Sequence, residues 1–204
     1  PTPPGPHPRL LCYHTLCCSD LGRGLGRWGV VPVDRSSPQG TVGQAVAMIQ
    51  RALKVIPNQG LGLWVGNQNV LGTLGLLGHV LSLCKTLRDA FALGIRHQHT
   101  SGGIVVSSVD VVGDQVHVDA ECRLPFADVQ VFAVEEFFAS LLVYGRALVG
   151  AEFKAIAVEF VHAAPDYLSE YHRLLGPQVA FELVVLPVAH RAEQHRIGRA
   201  GQRQ

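Results

Sequence analysis

The stretch "QVHVDAECR" places His117, Asp119 and Glu121 at every second residue. In an extended strand, residues two apart lie on the same face, so these three side chains could ligate a metal ion or bind a polar ligand. The same alternation is typical of any strand face that is exposed to solvent. The sequence favours the solvent-exposed face and leaves the metal site as the alternative.

Four further histidines occur in pairs. In "RHQH", His97 and His99 are two residues apart, and on a helix such positions do not share a face, so they could chelate a metal only beyond the helix end. His190 and His195 do not match H-E-x-x-H, because the glutamate between them is wrongly placed. A structural role is therefore favoured for His97 and His99, and His190 and His195 form no recognised metal motif.

No set of residues indicates catalysis. Glu135 and Glu136 are adjacent and point in different directions on a helix, which makes them a poor acid–base pair. The sequence contains no G-x-S-x-G motif and no other sign of an activated nucleophile. We therefore predict no catalytic residue and no enzyme.

The cysteines bear on metals and on the cellular compartment. There are five, an odd number, two of them adjacent and none in a C-x-x-C pair, which is unlike a secreted disulfide framework and indicates a reducing, cytoplasmic compartment. A zinc site near the N-terminus is conceivable, but its spacing fits no standard zinc motif. Its ligands would be His7, Cys12, His14, Cys17 and Cys18. We predict no metal and no cofactor.

The most unusual stretch is "GLGLWVGNQNVLGTLGLLGHV", which begins at Gly60. Gly60, Gly62 and Gly66 give G-x-G-x-x-x-G, one residue out from the dinucleotide-binding fingerprint, and no strand precedes them. The apolar run Val70–Cys84 is shorter than the roughly 20 residues that a membrane-spanning helix needs. These glycines therefore predict tight turns and close helix packing in a soluble protein.

Composition indicates one folded domain. A chain of 204 residues with 48% hydrophobic and 16% charged residues can bury a real core. The formal net charge of +1 argues against a broad nucleic-acid-binding face. We divide the chain into a poorly ordered or irregular segment over 1–40, a folded domain over 41–187 and, over 188–204, a flexible basic tail or the start of a linker.

The first half of that domain reads as helical. Thr41–Ile56 has the apolar period of an amphipathic helix, and a second helix is predicted over Thr73–Leu83. A third begins at Thr86, whose hydroxyl can cap the helix with Asp89 three residues on. It should end near 99–102.

The second half changes to a period of two. "GIVVSSVDV" and "QVHVDAECR" flank Gly113–Asp114 as a hairpin, with one apolar and one polar face on the second strand. A helix over Val131–Val149, a strand "AIAVEFV", a helix over Asp166–Leu175 and a strand "VAFELVVL" follow. The fold class is therefore α+β: a mostly antiparallel four-stranded sheet, in the order β-β-α-β-α-β, with helices packed against it.

Three stretches together resemble a known family. They are "GLGLWVGNQ…LGTLGLLGHVLSLCKTLRDAF", the polar hairpin with Gly-Asp at its turn, and "HAAPDYLSEYHRLLGPQVAF". The last is the most specific, through His162, Pro165, Tyr171, Gly176, Val179 and Phe181. The chain resembles the arabinose-binding-like, effector-sensing N-terminal domain of AraC/XylS-type bacterial transcription regulators over roughly residues 41–186.

The resemblance implies a function. Such a domain binds a small-molecule effector, here an amino acid or a fatty or organic acid, and forms a homodimer that controls DNA binding. The residues after Leu186 are too few for even one helix-turn-helix recognition unit, so DNA binding would belong to a longer parent protein. The alternative is a ligand-free interaction and dimerisation module, without a membrane partner in either case.

Four residues are the candidates for lining an effector site. Trp64, His97, Tyr144 and His162 are large or polar groups at the ends of elements or on otherwise apolar faces. Pockets tend to collect a few such orienting groups.

Overall fold

The computed structural model describes residues 42–56, 59–98, 104–113 and 115–182. In chain order the elements are α1 (Val42–Val55), α2 (Leu61–Asn67), a 3-10 turn (Leu71–Leu74), α3 (Leu76–Ser82), α4 (Leu87–Arg96), β1 (Val105–Val112), β2 (Gln115–Cys122), α5 (Ala127–Val149), β3 (Val158–Glu159), α6 (Leu168–Leu175) and β4 (Val179–Ala180). The predictions for 1–40 and for 188–204 lie outside the described residues, as do all of the proposed zinc ligands.

Helix α5 is the central element, because α1, α2, α4, α6 and the hairpin all contact it. It separates two apolar clusters. On one side Phe132 and Val129 pack against α1 and α2, around the fully buried Ile49. On the other side Leu142 and its neighbours pack against α6 and β3, around the fully buried Tyr171.

The glycines of α2 let it approach α5 closely. A Cβ built on Gly62 would lie 2.3 Å from the carbonyl oxygen of Phe132, and one on Gly66 would lie 2.4 Å from the carbonyl oxygen of Glu136. Both distances are far inside van der Waals contact, so only glycine fits at either position. Close helix packing is therefore the role of these glycines, and Gly60, at a φ of 64°, makes the turn before α2.

The helix boundaries agree with most of the sequence signals. α1 has almost the predicted length, and α4 begins after Thr86, whose Oγ1 accepts a hydrogen bond of 3.1 Å from the amide of Asp89. α4 ends at Arg96, earlier than predicted, because His97 already leaves helical geometry. The predicted helix over Thr73–Leu83 is divided at Gly75, whose φ of 59° separates the 3-10 turn from α3.

α5 begins at Ala127, four residues before the predicted start at Val131. Pro125 disfavours helical geometry only in the residue before it, so the helix can start almost at once after the proline. As a result Asp128, and not Glu135 or Glu136, lies at the positive end of the helix. The two glutamates lie in the middle of α5, away from its ends, so contacts with other elements determine their environment.

The hairpin has the predicted strands and turn. β1 and β2 pair antiparallel over eight residues each, and Val112 pairs with Gln115 across the Gly113–Asp114 connection. The predicted difference between an apolar and a polar face of β2 is weak, since most of its residues are half-buried. Ser107 and Cys122, near the open end of the hairpin, are the buried residues of the two strands.

The fold class is α+β, and the predicted order β-β-α-β-α-β is confirmed. The single four-stranded sheet is not what the described residues form: β1–β2 and β3–β4 are separate two-stranded ladders. β3 and β4 pair in parallel because α6 carries the chain back between them, as a parallel connection requires. Residues 183–186 of the predicted last strand lie outside the described part.

Two further findings concern the described residues. None of the helices they form combines the length and the apolar character needed to cross a membrane. Cys84 and Cys122 both have free thiols, and Cys122 is buried.

Two glycine-to-alanine substitutions, one in α2 and a control in α4, test the close approach of α2 to α5. Gly62→Ala should lower the free energy of unfolding by at least about 2 kcal/mol, since the new methyl overlaps the backbone of α5. Gly94→Ala, where the nearest atoms would lie 3.7 Å away, should raise it by up to about 1 kcal/mol through helix propensity. Urea denaturation measures both changes, and equal effects of the two substitutions would contradict the packing described here.

Candidate functional site

A cavity of about 150 Å³ lies between α3, α4, β1 and α5. Its wall is mostly aliphatic and aromatic, contributed above all by Leu77, Leu81, Phe91, Ile95, Phe137 and Leu141. Five lining residues carry polar groups: Gln98, Ser107, Glu136, Ser140 and Tyr144. An apolar cavity with a few polar groups is the usual form of a small-molecule site.

Gln98 and Ser107 bind each other at one end of the cavity. The Gln98 amide nitrogen donates to the Ser107 carbonyl oxygen at 2.8 Å, and its Oε1 accepts from the Ser107 amide and hydroxyl at 2.8 and 2.9 Å. The side chain thereby fixes the chain after α4 to the start of β1. These polar groups have protein partners.

Tyr144 lines the cavity from the C-terminal half of α5. Its hydroxyl lies 3.2 Å from Thr73 Oγ1, in the 3-10 turn, and Thr73 in turn donates to the Val70 carbonyl oxygen at 2.7 Å. The aromatic ring therefore faces the cavity while the hydroxyl is engaged by the turn that precedes α3.

Glu136, Ser140 and Asn69 form a second polar group in the wall. Asn69 Nδ2 donates to Glu136 Oε1 at 2.8 Å and to Ser140 Oγ at 2.7 Å. Ser140 Oγ donates to the same Glu136 oxygen at 3.0 Å. Glu136 and Ser140 are four residues apart on one face of α5, and Asn69 is brought to them by the close approach of α2.

Burial raises the pKa of the Glu136 carboxyl above its ordinary value of 4.5. The hydrogen bonds from Ser140 and Asn69 lower it, but less than desolvation raises it. Both bonds go to Oε1, and no described residue donates to Oε2. When the carboxyl group is ionised, Glu136 thus presents a hydrogen-bond acceptor at the cavity that it lines.

The neighbouring Glu135 lies on the other side of α5, and its side chain is fully buried, with 2% of the residue exposed. Its Oε1 accepts hydrogen bonds from the hydroxyls of Tyr167, at 2.8 Å, and Tyr171, at 2.5 Å. Desolvation raises the pKa of Glu135, while the tyrosine hydroxyls oppose the rise. Burial and the nearby carboxyl also raise the pKa values of both tyrosines.

This second cluster is enclosed by aromatic rings. His162 Nε2 lies 3.4 Å from the Tyr171 hydroxyl, and the rings of Phe160 and Phe181 pack against both residues. None of these residues lines the cavity. The arrangement holds α6 and the β3–β4 ladder to α5, and we interpret it as structural.

The four residues selected from the sequence lie in different places. Tyr144 lines the cavity, whereas Trp64 is 44% exposed on α2 and His97 is exposed at the end of α4. His162 belongs to the aromatic cluster around Glu135. The structure does not bring the four together, and a ligand-binding role for any of them stays a prediction.

The candidate metal ligands also have other contacts. Glu121 pairs with Arg123 at 2.8 Å on the exposed face of the hairpin. Within the described ranges, no three His, Cys, Asp or Glu side chains are grouped in a way that could hold a metal ion. His99 and the two C-terminal histidines lie outside those ranges.

Sequence reasoning missed Glu136, Ser140, Gln98 and Ser107. The signal for the first two was present: two glutamates and a serine interrupt an otherwise apolar stretch of α5, and positions 136 and 140 share a face. The prediction that Glu135 and Glu136 point in different directions is confirmed. Gln98 carried no signal, because its partner is the backbone of a strand beyond the next loop.

The sequence matches the model of a known protein family. The model of the family described as the arabinose-binding domain of AraC transcription regulators, N-terminal, matches residues 19–183. The chain therefore belongs to this family. The match begins further toward the N-terminus than the resemblance seen over 41–186.

Curated relatives of the same class exist in mycobacteria. The chain is 29% identical over 123 residues to an uncharacterized HTH-type transcriptional regulator of Mycobacterium tuberculosis and, to the same extent, to one of Mycobacterium bovis. The matched region covers 58% of this chain and 35% of each relative. The chain thus spans about a third of the length of these regulators.

Glu136→Gln should change the pH dependence of stability. Since the pKa of Glu136 is raised in the folded state, the folded protein keeps a proton that the unfolded chain loses above about pH 4.5. The wild-type protein therefore loses stability relative to the variant as the pH rises from 4.5, at up to about 1.4 kcal/mol per pH unit. Urea denaturation from pH 4 to 8 measures the difference.

The exposed Glu152→Gln is the matched control for that experiment, and its difference from wild type should stay flat. A Glu136→Gln difference that is independent of pH would show that the carboxyl is solvated.

Tyr171→Phe should lower the free energy of unfolding by about 1.5–3 kcal/mol, the range for a lost hydrogen bond to a charged group. It removes the shorter bond to Glu135 from a residue that is fully buried. Tyr167→Phe removes the longer bond from a half-buried residue and should have the smaller effect. The opposite order in urea denaturation would contradict the assignment.

Proposed function

We propose that this domain is the effector sensor of an AraC-type transcription regulator and that a small molecule binds in the cavity between α3, α4, β1 and α5. The observation that carries the proposal is the cavity itself, with Glu136 in an otherwise apolar wall. Membership of the family supports a sensing role rather than an enzymatic one. Tyr144 is the one residue selected from the sequence that we assign to this site.

Helix α3 connects the cavity to the outer surface. Leu77 and Leu81 face the cavity, whereas Leu76, Val80 and Leu83 lie on an exposed face with exposures of 81%, 39% and 72%. The spacing of the exposed residues is i, i+4, i+7, which places them along one side of the helix. We call Leu76, Val80 and Leu83 the α3 stripe.

We infer that the α3 stripe contributes to the surface through which two copies associate. A ligand that moves Leu77 or Leu81 also shifts the residues between them, so cavity occupancy and association are coupled through one short helix. Such coupling requires that the bound and empty states differ in their dimer contacts. In the parent regulator, this difference would reposition the DNA-binding units in the cytoplasm.

The alternative is a dimerisation module without a ligand. The exposed α3 stripe favours this alternative as much as it favours the sensor, because an apolar face of this kind serves association in either case. The sensor must bind a small molecule in the cavity, whereas the dimerisation module does not use the cavity.

A ligand screen by thermal shift separates them. A sensor should be stabilised by one class of small molecule among amino acids, organic and fatty acids, sugars and small aromatic compounds, in proportion to its concentration. Gly94→Leu, which adds a side chain to the cavity wall, should abolish the stabilisation, and Gly94→Ala should retain it. Sedimentation velocity with and without the ligand then measures association.

A melting temperature that responds to protein concentration but to no compound in the screen would support the module without a ligand. A stabilisation that Gly94→Leu leaves intact would place the ligand outside this cavity.

A further inference from the structure

We propose that the cavity selects a compact apolar molecule, about the size of one aromatic ring, that donates a hydrogen bond to Glu136 Oε2 and carries no negative charge. The inference rests on the proposed function and specifies the chemical class of the effector. A ring-sized alcohol, phenol or amine has this chemistry.

The volume of the cavity limits the size of the ligand. An apolar cavity of about 150 Å³ in another protein accommodates a benzene molecule. The cavity here has the same volume, so its interior accommodates one ring with a short substituent.

The polar groups of the wall limit the number of polar groups on the ligand. Gln98 and Ser107 bind each other, the Tyr144 hydroxyl contacts Thr73, and the Ser140 hydroxyl donates to Glu136. A sugar with a hydroxyl on nearly every carbon would leave most of its hydroxyls without partners against leucine and phenylalanine side chains. Burying each unpaired hydroxyl is unfavourable by a few kcal/mol, so the wall selects against polyols.

The charge of the wall excludes anions. The described residues that line the cavity include no lysine, arginine or histidine, and Glu136 is their only ionisable acid. A ligand carboxylate would lose its hydration without gaining a positive partner and would face a second carboxyl group. The cavity is therefore unsuited to the organic and fatty acids that the family resemblance implied.

Glu136 determines whether the preferred ligand donates or accepts a hydrogen bond. Asn69 and Ser140 both donate to Oε1, which fixes the carboxyl group and leaves Oε2 without a donor among the described residues. In the ionised state of Glu136, this acceptor in a mostly apolar wall is best satisfied by a ligand that brings its own donor, so the preference belongs to pH values above the raised pKa of Glu136. The same two donors determine what glutamine would do at this position: its carbonyl oxygen would take the place of Oε1, and its amide nitrogen would face the cavity.

Four ligands that share a benzene ring test the proposal by isothermal titration calorimetry on the chain of 204 residues. They are benzyl alcohol, which has a donor; anisole, which has only an acceptor; toluene, which has neither; and benzoate, which is anionic. Benzyl alcohol should bind about tenfold more tightly than toluene or anisole, the factor expected for one additional hydrogen bond of about 1.4 kcal/mol. Benzoate should not bind measurably.

Glu136→Gln replaces the hydrogen-bond acceptor in the wall with a donor, the amide nitrogen, and therefore gives the sharper test. In this variant the affinity ratio of benzyl alcohol to anisole should fall by about tenfold, because the amide nitrogen donates to the ether oxygen of anisole. The exposed Glu152→Gln should leave the ratio unchanged. A nonspecific effect of lost charge would move both variants alike and would overturn the proposal.

The outcomes distinguish this inference from the proposed function. If all four ligands bind equally, or benzoate binds best, while Gly94→Leu abolishes binding, the sensor function is retained and the ligand class is overturned. If none of the four binds but another compound from the screen does so in a way that Gly94→Leu abolishes, the ligand class is again overturned. If no compound binds in the cavity, both proposals fail.

Discussion

The approach of α2 to α5 is the constraint on which the rest of the structure depends. Gly62 and Gly66 have no side chain, so the backbone of α2 rests on the carbonyl groups of α5. At this distance Asn69, just beyond α2, reaches Glu136 and Ser140, and the start of α2 comes up against Glu135. A separation larger by one methyl group would draw Asn69 away from Glu136 and Ser140, and the loss of such hydrogen bonds is unfavourable in an apolar interior.

The two adjacent glutamates divide the functions of α5 between its sides. Glu135 is enclosed by two tyrosines and fastens α6 and the short parallel ladder to the helix. Glu136 is bound through one oxygen and lines the cavity, and we propose that its other oxygen is the one that a ligand contacts. Each glutamate has two side-chain donors, and the difference between them is that Glu136 lines the cavity whereas Glu135 does not.

Local signals in the sequence predicted the parts of the fold that depend on local chemistry. The Thr86 cap and the turn at Gly113 each act through their own backbone or an immediate neighbour, so their roles could be predicted directly. The glycines of α2 predicted close helix packing but did not identify α5 as the partner. The described residues do not form the predicted single four-stranded sheet, because the pairing of its strands depends on contacts between distant elements. The structure does not bring Trp64, His97 and His162 together with Tyr144, and their ligand-binding role stays untested. The cavity could not be predicted, since α3, α4, β1 and α5 enclose it only after packing. Among the missed cavity residues, Glu136 and Ser140 gave a sequence signal, as polar residues in an otherwise apolar stretch.

The adjacency of Glu135 and Glu136 also restricts how this domain can change length during evolution. One residue inserted into α5 between Phe132 and Glu135 would rotate the following part of the helix by about 100°. Both carboxyl groups would then leave their partners, and the two apolar clusters would lose their register. Insertions and deletions that survive in homologues should therefore lie outside this helix, at sites such as the hairpin turn, where the chain can lengthen without turning any side chain away from the core.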